Sequence, residues 1–248
     1  MKEIKIALDV GNTSIDCGCF IDKQLLRVKN LLLEDFSEEN LDKLIRESLQ
    51  DDVVIKIGLS CVVPRHQEVI LNYLEKYATV VNITASLLPD LVIEADNRNE
   101  LGADFICAYY GVLAYYKAPL IVFDLGSATK VMVINENKVI SGVAIKPGIN
   151  QSLQAMTKKI PHLPDIELQE PSDIIGHNTI EAIRAGVFYG ELSNIKYYSS
   201  LLDEHYNMNS NKVISGGYAR LFIDRLTGFL YEPNLVLLGI NEIIDRVR

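Results

Sequence analysis

The sequence predicts an α/β protein made of two similar halves. Strand and helix patterns follow one another in the order β-β-β-α-β-α-β, and this order occurs twice. In each half the first strand ends on an aspartate that opens the same short signature, at residues 9–13 (DVGNT) and 124–128 (DLGSA). One such turn is weak evidence, because turns favour these residues anyway. Two at matching positions predict a duplication, with residues 1–116 as the N-terminal half and residues 117–248 as the C-terminal half.

In the N-terminal half, alternating apolar residues predict three strands, at about residues 5–9, 14–21 and 24–33. Ser37 caps the helix that follows, the apolar stretch VVIKIGLSCVV predicts a buried strand, and Pro64 begins a second helix. The short strand TVVNIT comes next. A helix from about residue 99 to residue 117 then ends ahead of a proline.

In the C-terminal half, the stretches LIVFDLG, TKVMVIN and KVISGVAI predict three strands. One helix begins after Gly148, and Asn178 caps a second and longer one. Next come the strand KVIS, a turn at Gly216-Gly217 and the helix YARLFIDRL. The chain closes with NLVLLG and NEIIDRV. Residues 161–172, which include three prolines, form the one long loop.

The composition is that of an ordinary folded protein of 248 residues, with 48% hydrophobic and 23% charged residues. A net charge of −9 argues against nucleic acid or an anionic membrane as partner, because phosphate groups attract basic surfaces. No apolar run reaches the ~18 residues that a membrane helix needs, and MKEIKIALDV reads as a strand rather than a signal peptide. We therefore expect a cytoplasmic protein. Its four scattered cysteines and four scattered histidines favour reduced thiols over a metal site.

The two signatures are suited to holding phosphate. Glycine permits a positive φ and close approach of a ligand, and successive N–H groups around it form an anion-binding nest. An aspartate repels phosphate but holds a cation that bridges to it. Two such turns facing each other across a cleft would hold the phosphates of a nucleotide, and the VISGGYARLF stretch would add bare backbone beside it. The alternative is a pair of polar hairpin tips.

Further motifs are spread over nearly the whole chain. The motifs are SCVVP ending at Pro64, LGAD ending at Asp104, GVAIKPG ending at Gly148, NTIEAIRAG from Asn178 and SGG ending at Gly217. With the two signatures, their order and spacing resemble the type III pantothenate kinases, the Bvg accessory factor family. These proteins belong to the actin-like ATPase superfamily. The resemblance implies a duplicated ribonuclease H-like fold with a nucleotide cleft between the halves.

The resemblance also implies the reaction, which is phosphoryl transfer from ATP to the primary hydroxyl of pantothenate, the first step of coenzyme A biosynthesis. Asp104 would be the general base, and Asp9 would organise Mg²⁺ through water. Asp124 would hold a monovalent cation, K⁺ or NH₄⁺. The nucleotide-binding residues would be Asp9, Val10, Gly11, Asn12, Thr13, Ser14, Ile15, Asp16, Ser127, Gly216 and Gly217. The acceptor-binding residues would be Gly102, Ala103, Asp104, Phe105 and Thr179.

Three departures from the family concern the acceptor. Phe105 stands where the family has an arginine that helps bind the acceptor carboxylate, Ala95 stands for a tyrosine, and Arg98 for a proline. Either Arg98 or Lys130 reaches that carboxylate, or the acceptor is another small hydroxy-acid, or the chain is a non-catalytic nucleotide-binding regulator. Without the resemblance, Asp104 would be interpreted as a first-turn acid favoured by the helix dipole.

The resemblance further implies a homodimer with the long helix after Asn178 in its interface. The apolar residues of that helix spread over more than one face, as expected for a helix with two partners, and they are Ile180, Ile183, Ala185, Val187, Phe188 and Leu192. The alternative is a helix buried on two sides within one chain.

Overall fold

The computed structural model describes residues 3–49, 53–94, 96–160 and 163–247. Ala95 and His162 lie outside these ranges, so the predicted departure at Ala95 is not addressed by the structure. The chain forms two compact units, one of Met1–Tyr115 with Asn234–Arg248, the other of Tyr116–Pro233. In the described ranges, no helix is both long enough and apolar enough to cross a membrane.

The first 115 residues form a five-stranded sheet with helices. The elements are β1 (Glu3–Val10), β2 (Ser14–Ile21), β3 (Gln24–Leu32), α1 (Glu38–Leu49), β4 (Val53–Cys61), α2 (Pro64–Leu74), β5 (Thr79–Asn82) and α3 (Ala103–Tyr115). The strand order is β3-β2-β1-β4-β5, in which β1 is antiparallel to β2 and parallel to β4. Ser37 accepts a hydrogen bond from the Asn40 amide, so the predicted cap of α1 is confirmed.

The remaining residues repeat this plan. The elements are β6 (Leu120–Leu125), β7 (Ala128–Ile134), β8 (Ile140–Pro147), α4 (Ile149–Lys159), α5 (Thr179–His205), β9 (Asn211–Ser215), α6 (Ala219–Phe222), β10 (Phe229–Tyr231) and α7 (Leu235–Arg246). The strand order is β8-β7-β6-β9-β10, which matches the first sheet strand for strand. The predicted duplication is therefore confirmed. Asn178 caps α5 as predicted, since its side chain accepts from the Glu181 amide at 3.0 Å.

The end of the chain differs from the prediction. NLVLLG and NEIIDRV form one helix, α7, and the last strand of the second sheet is β10, which the sequence pattern did not show. The predicted helix YARLFIDRL is only the four-residue α6, followed by a 3-10 turn at Ile223–Arg225. The helix predicted from about residue 99 begins at Ala103, because residues 98–100 form a 3-10 turn.

Helix α7 packs on the first sheet, although the sequence-based division placed residues 234–248 with the C-terminal half. Two glycines let α7 approach α3. A methyl group on Gly239 would lie 1.7 Å from the Cys107 carbonyl oxygen, and one on Gly111 would lie 2.4 Å from the Leu235 carbonyl oxygen. Because neither position has a side chain, the two helices can contact each other directly. The N-terminal unit therefore includes Asn234–Arg248, which follow the C-terminal half in the sequence.

Candidate functional site

The first signature forms the tight turn between β1 and β2. The Gly11 amide donates to the Ser14 carbonyl oxygen at 2.9 Å, which closes the turn, and the Thr13 carbonyl accepts from the Leu33 amide at 2.8 Å. Asn12 and Thr13 are exposed. Val10 and Ile15 are fully buried, so they can face a ligand only through their backbone. Gly11 does not adopt the positive φ that the sequence pattern suggested, and a methyl group on it would meet only the Ser14 carbonyl oxygen, at 3.4 Å, so the turn itself does not require glycine here.

Asp9 is held by a serine that the sequence analysis did not assign a role. Ser60 lies directly beside Asp9 in the parallel register of β1 and β4, and its hydroxyl donates to Asp9 Oδ1 at 2.7 Å. Ser60 is fully buried, whereas Asp9 is half-buried. The hydrogen bond fixes the Asp9 carboxylate and leaves its second oxygen, Oδ2, outside this contact. The sequence did contain a signal for this role, because Ser60 is a lone hydroxyl residue in the mainly apolar stretch GLSCVV.

Asp16 is the antiparallel partner of Asp9, so the two carboxylates project from the same face of the sheet. Burial raises the pKa of the Asp16 carboxyl above its usual value, and a 3.4 Å hydrogen bond from Ser14 Oγ opposes that rise. Two neighbouring carboxylates, one of them poorly solvated, favour a cation. In the described ranges no group of three or more His, Cys, Asp or Glu side chains forms a metal site, so a divalent ion here needs further ligands from its substrate.

We predict that Asp16→Asn raises thermal stability and weakens binding of the magnesium nucleotide. Because the folded-state pKa of Asp16 is raised, its favourable contribution exists below the unfolded pKa and is lost as the pH rises through the folded value. The ionised group therefore destabilises the folded chain at neutral pH. Without metal, the melting temperature of the variant should rise, because the amide carries no charge that burial penalises.

Calorimetric titration with Mg²⁺ and a non-hydrolysable ATP analogue checks the other half of this prediction. We expect the affinity of Asp16→Asn to fall by about tenfold or more, because a charged ligand is lost. Asp35→Asn, on an acid in the 3-10 turn after β3, is the control and should change neither quantity. A lower melting temperature for Asp16→Asn would contradict the unfavourable ionisation.

Asp104 lies in the first turn of α3 and folds back over Gly102. A methyl group on Gly102 would lie 2.6 Å from Asp104 Oδ1, which explains the glycine. The same oxygen accepts from the Phe105 amide at 2.8 Å. Asp104 is half-buried.

Cys107 is a fully buried thiol in α3, and the charges of both predicted catalytic carboxylates act on it. Burial raises the pKa of its thiol well above the usual value, the charges of Asp9 and Asp104 raise it further, and a hydrogen bond with Ser60 opposes the rise. The thiol thus senses both carboxylates. Although 95 residues separate them in sequence, Asp9 and Asp104 belong to the same part of the N-terminal unit.

The two neighbours of Asp104 in the chain, Ala103 and Phe105, carry no charge. Ala103 begins α3, and Phe105 is buried, with 7% of its surface exposed. The Arg98 guanidinium donates to the Ala85 carbonyl at 2.7 Å and to the Leu88 carbonyl, so it fastens its own loop. The hypothesis that Arg98 binds the acceptor carboxylate therefore has no support from its contacts.

The second signature is built like the first. Asp124 lies near the end of β6, with Lys130 opposite it on β7 and the buried Ser215 beside it on β9. Lys130 Nζ donates to Asp124 Oδ2 at 2.8 Å. Lys130, the other candidate for the acceptor carboxylate, is thus paired with Asp124. Ser127 is half-buried at the turn.

Two glycines pack against this second turn. Gly216 has a φ of 91°, and a methyl group on it would lie 2.5 Å from the Leu125 carbonyl carbon. A methyl group on Gly148 would lie 2.3 Å from the Ser127 carbonyl oxygen. Gly217 is exposed and has open space around it, as a backbone that receives a ligand requires. The predicted order of strand, turn and helix is confirmed here by β9, the two glycines and α6. With four residues, however, α6 is too short for its dipole to attract a ligand.

Thr179 lies at the start of α5, beside an open pocket of about 660 Å³. The pocket is lined by Met156, Gly176, Thr179, Ile183 and Val187, among others. Its walls are mainly apolar, and Thr179 contributes an exposed hydroxyl. This pocket suits a small molecule that carries methyl groups and a polar end.

The matching sheets and the two signature turns define the class of this protein. It has the duplicated ribonuclease H-like fold of the actin-like ATPases. A Baf family protein from Campylobacter jejuni shares the fold with a TM-score of 0.61 and 21% identity, over 97% of this chain and 98% of that one. The activator of 2-hydroxyisocaproyl-CoA dehydratase from Clostridium difficile, solved with bound ADPNP, has a TM-score of 0.52 and 14% identity over 98% and 94%.

The family follows from sequence comparison. The model of the type III pantothenate kinase family matches residues 5–200. The type III pantothenate kinase of Sulfurihydrogenibium sp. (strain YO3AOP1) is 30% identical over 246 residues, which cover 95% of this chain and 97% of that protein. The chain belongs to the type III pantothenate kinase family.

Proposed function

We propose that this chain transfers the γ-phosphoryl group of ATP to the primary hydroxyl of pantothenate, and that 4′-phosphopantothenate and ADP are the products. Membership of the kinase family supports the reaction class. The observation that carries the proposal is the Asp9 carboxylate held by Ser60, together with the effect of the Asp9 and Asp104 charges on the one buried thiol of Cys107, because phosphoryl transfer needs a metal-organising carboxylate and a base near each other.

The first signature turn would hold the phosphates. Its exposed polar residues, Asn12 and Thr13, and the bare backbone of Gly11 offer neutral donors. Asp9, oriented by Ser60, and Asp16 would hold Mg²⁺ together with phosphate oxygens and water. The ion supplies charge neutralisation on the phosphates when it is bound.

Asp104 would act on the acceptor. Its carboxylate accepts the proton of the primary hydroxyl while that oxygen bonds to the γ-phosphorus, and the bond from this phosphorus to the β,γ-bridging oxygen breaks. Oδ1 of this carboxylate also accepts a hydrogen bond from the Phe105 amide. The backbone at the start of α3 therefore helps to orient the carboxylate.

The second candidate is a different small acceptor, which is either another hydroxy-acid or an alcohol that has no carboxylate. The observation that favours an acceptor without a carboxylate is that the buried Phe105 supplies no cation beside Asp104, and that Arg98 binds two carbonyl groups of its own loop. A carboxylate without a counter-charge binds weakly in a partly desolvated site.

ATP consumption, measured over pantothenate, its amide derivatives without the carboxylate, and other hydroxy-acids, tests these candidates. Turnover greatest with pantothenate supports the first. Greater turnover with the uncharged amides supports the second. Binding of ATP without turnover on any acceptor would favour a nucleotide-binding regulator and would contradict both.

We also propose that two copies of the chain associate through α5. One face of this helix, with Phe188 and Leu192, lies in the core of its own unit. The opposite face carries Tyr197 and Leu201, one helical turn apart, and they are 68% and 39% exposed. A second copy would cover this apolar stripe.

Light scattering at micromolar concentration should give a mass of about twice the 27.8 kDa chain. Tyr197→Glu should yield the monomer, because it buries a charge in the interface. Lys196→Glu, on the neighbouring exposed residue, is the control and should remain dimeric. A monomeric wild-type protein would defeat the proposal.

A further inference from the structure

We propose that Lys130 supplies the cation at the second signature turn, so that this enzyme works without added K⁺ or NH₄⁺. The inference rests on the proposed kinase function. The resemblance to the family implied a monovalent cation at Asp124, but the residues present do not fit a free ion. Lys130 Nζ donates to Asp124 Oδ2 at 2.8 Å, and each side chain is only 19% exposed. The carboxylate is already neutralised.

The two halves carry different charges at the same place in the duplicated fold. Asp9 faces Asp16 across the antiparallel ladder of β1 and β2, and Asp124 faces Lys130 across the equivalent ladder of β6 and β7. The first turn therefore presents two carboxylates, which suit a divalent ion. The second turn presents one carboxylate and a fixed ammonium group, which leave no net charge for an ion to balance.

The surroundings of Asp124 also disfavour a free ion. Oδ2 accepts from Lys130, and Oδ1 lies against Gly216, where an added methyl group would come within 2.6 Å of it. A K⁺ ion at this carboxylate would stand beside an ammonium group of the same charge. The lysine ammonium has the charge of NH₄⁺, and its attachment to β7 makes its presence independent of the salt in solution.

Activity without K⁺ or NH₄⁺ is the first test. In choline salts, the wild-type turnover should stay within about twofold of its value in potassium salts of equal ionic strength. Lys130→Met keeps the aliphatic length of the side chain and removes the charge. Its kcat/KM for ATP should fall by about tenfold or more in choline and recover partly when K⁺ or NH₄⁺ is added.

Melting temperature is the second readout, and it requires no turnover. The wild-type protein should melt at the same temperature in potassium and choline salts, whereas K⁺ should specifically stabilise Lys130→Met, because a ligand that binds only the folded state raises its stability. Lys212→Met is the matched control. Lys212 pairs with Asp203 at 2.6 Å with both side chains 20% exposed, so its loss costs a similar ion pair in the same unit without exposing a cation site.

The outcomes separate the inference from the proposed function. A wild-type enzyme that needs K⁺, or one that K⁺ specifically stabilises, overturns the inference, and so does a Lys130→Met protein that shows no response to K⁺. If the wild-type protein is inactive on every acceptor, the proposed function is contradicted. The melting temperatures in potassium and choline salts then decide by themselves whether Lys130 replaces the cation. Lys130→Gln replaces Lys130→Met if the latter does not fold, and the wild-type response decides if neither variant folds.

Discussion

Asp104→Asn is expected to lower kcat by about 10²-fold or more and to leave the affinity for ATP nearly unchanged. The amide cannot accept the proton of the acceptor hydroxyl. Its oxygen can still accept from the Phe105 amide, so the start of α3 should keep its conformation. Rapid-quench measurement of the first turnover, together with titration of an ATP analogue, separates the loss of chemistry from a loss of binding.

Glu100→Gln is the matched control for this variant. Glu100 lies four residues earlier, is exposed, and accepts from the Asn97 side chain outside the cluster around Cys107. Its amide variant should keep wild-type turnover. Wild-type turnover in Asp104→Asn would remove Asp104 from the mechanism and restore the interpretation of this residue as a helix-dipole acid.

Gly239→Ala is expected to have the largest effect on stability. The added methyl group would lie 1.7 Å from the Cys107 carbonyl oxygen and 2.5 Å from the carbonyl carbon. The obstacle is backbone, which cannot rotate away, so α7 would have to move off α3. We expect a loss of about 3 kcal/mol in the free energy of unfolding, or a melting temperature about 6–12 °C lower.

Asn72→Ala is the control, because Asn72 is exposed in α2 and takes no part in the contact between α3 and α7. Alanine there should stabilise the chain by up to about 1 kcal/mol through helix propensity. Thermal melting of both variants decides the matter. An unchanged melting temperature for Gly239→Ala would mean that the contact between α3 and α7 is looser than 1.7 Å implies.

The sequence by itself determined the strands other than β10, the caps of α1 and α5, and the duplication, because these depend on local patterns. Alternation marks a half-buried strand, and side chains at positions such as Ser37 and Asn178 bond to amides a few residues away. The two signatures located both turns. The family motifs singled out Asp9 and Asp104 before any geometry was known.

Only the tertiary structure decided which residues lie beside these. Ser60 reaches Asp9 because β4 pairs in parallel with β1 across about fifty residues of sequence, and no local pattern records such a register. Likewise, the ion pair of Lys130 with Asp124 depends on the register of β6 and β7.

The placement of α7 is the clearest case. Its sequence predicts neither its helical form nor its partner, because a continuous apolar segment fits a strand and a buried helix equally well. Burial against α3, allowed by Gly111 and Gly239, settled the conformation. Long-range packing outweighs local preference here, since the hydrophobic gain depends on the apolar area removed from water and not on distance along the chain.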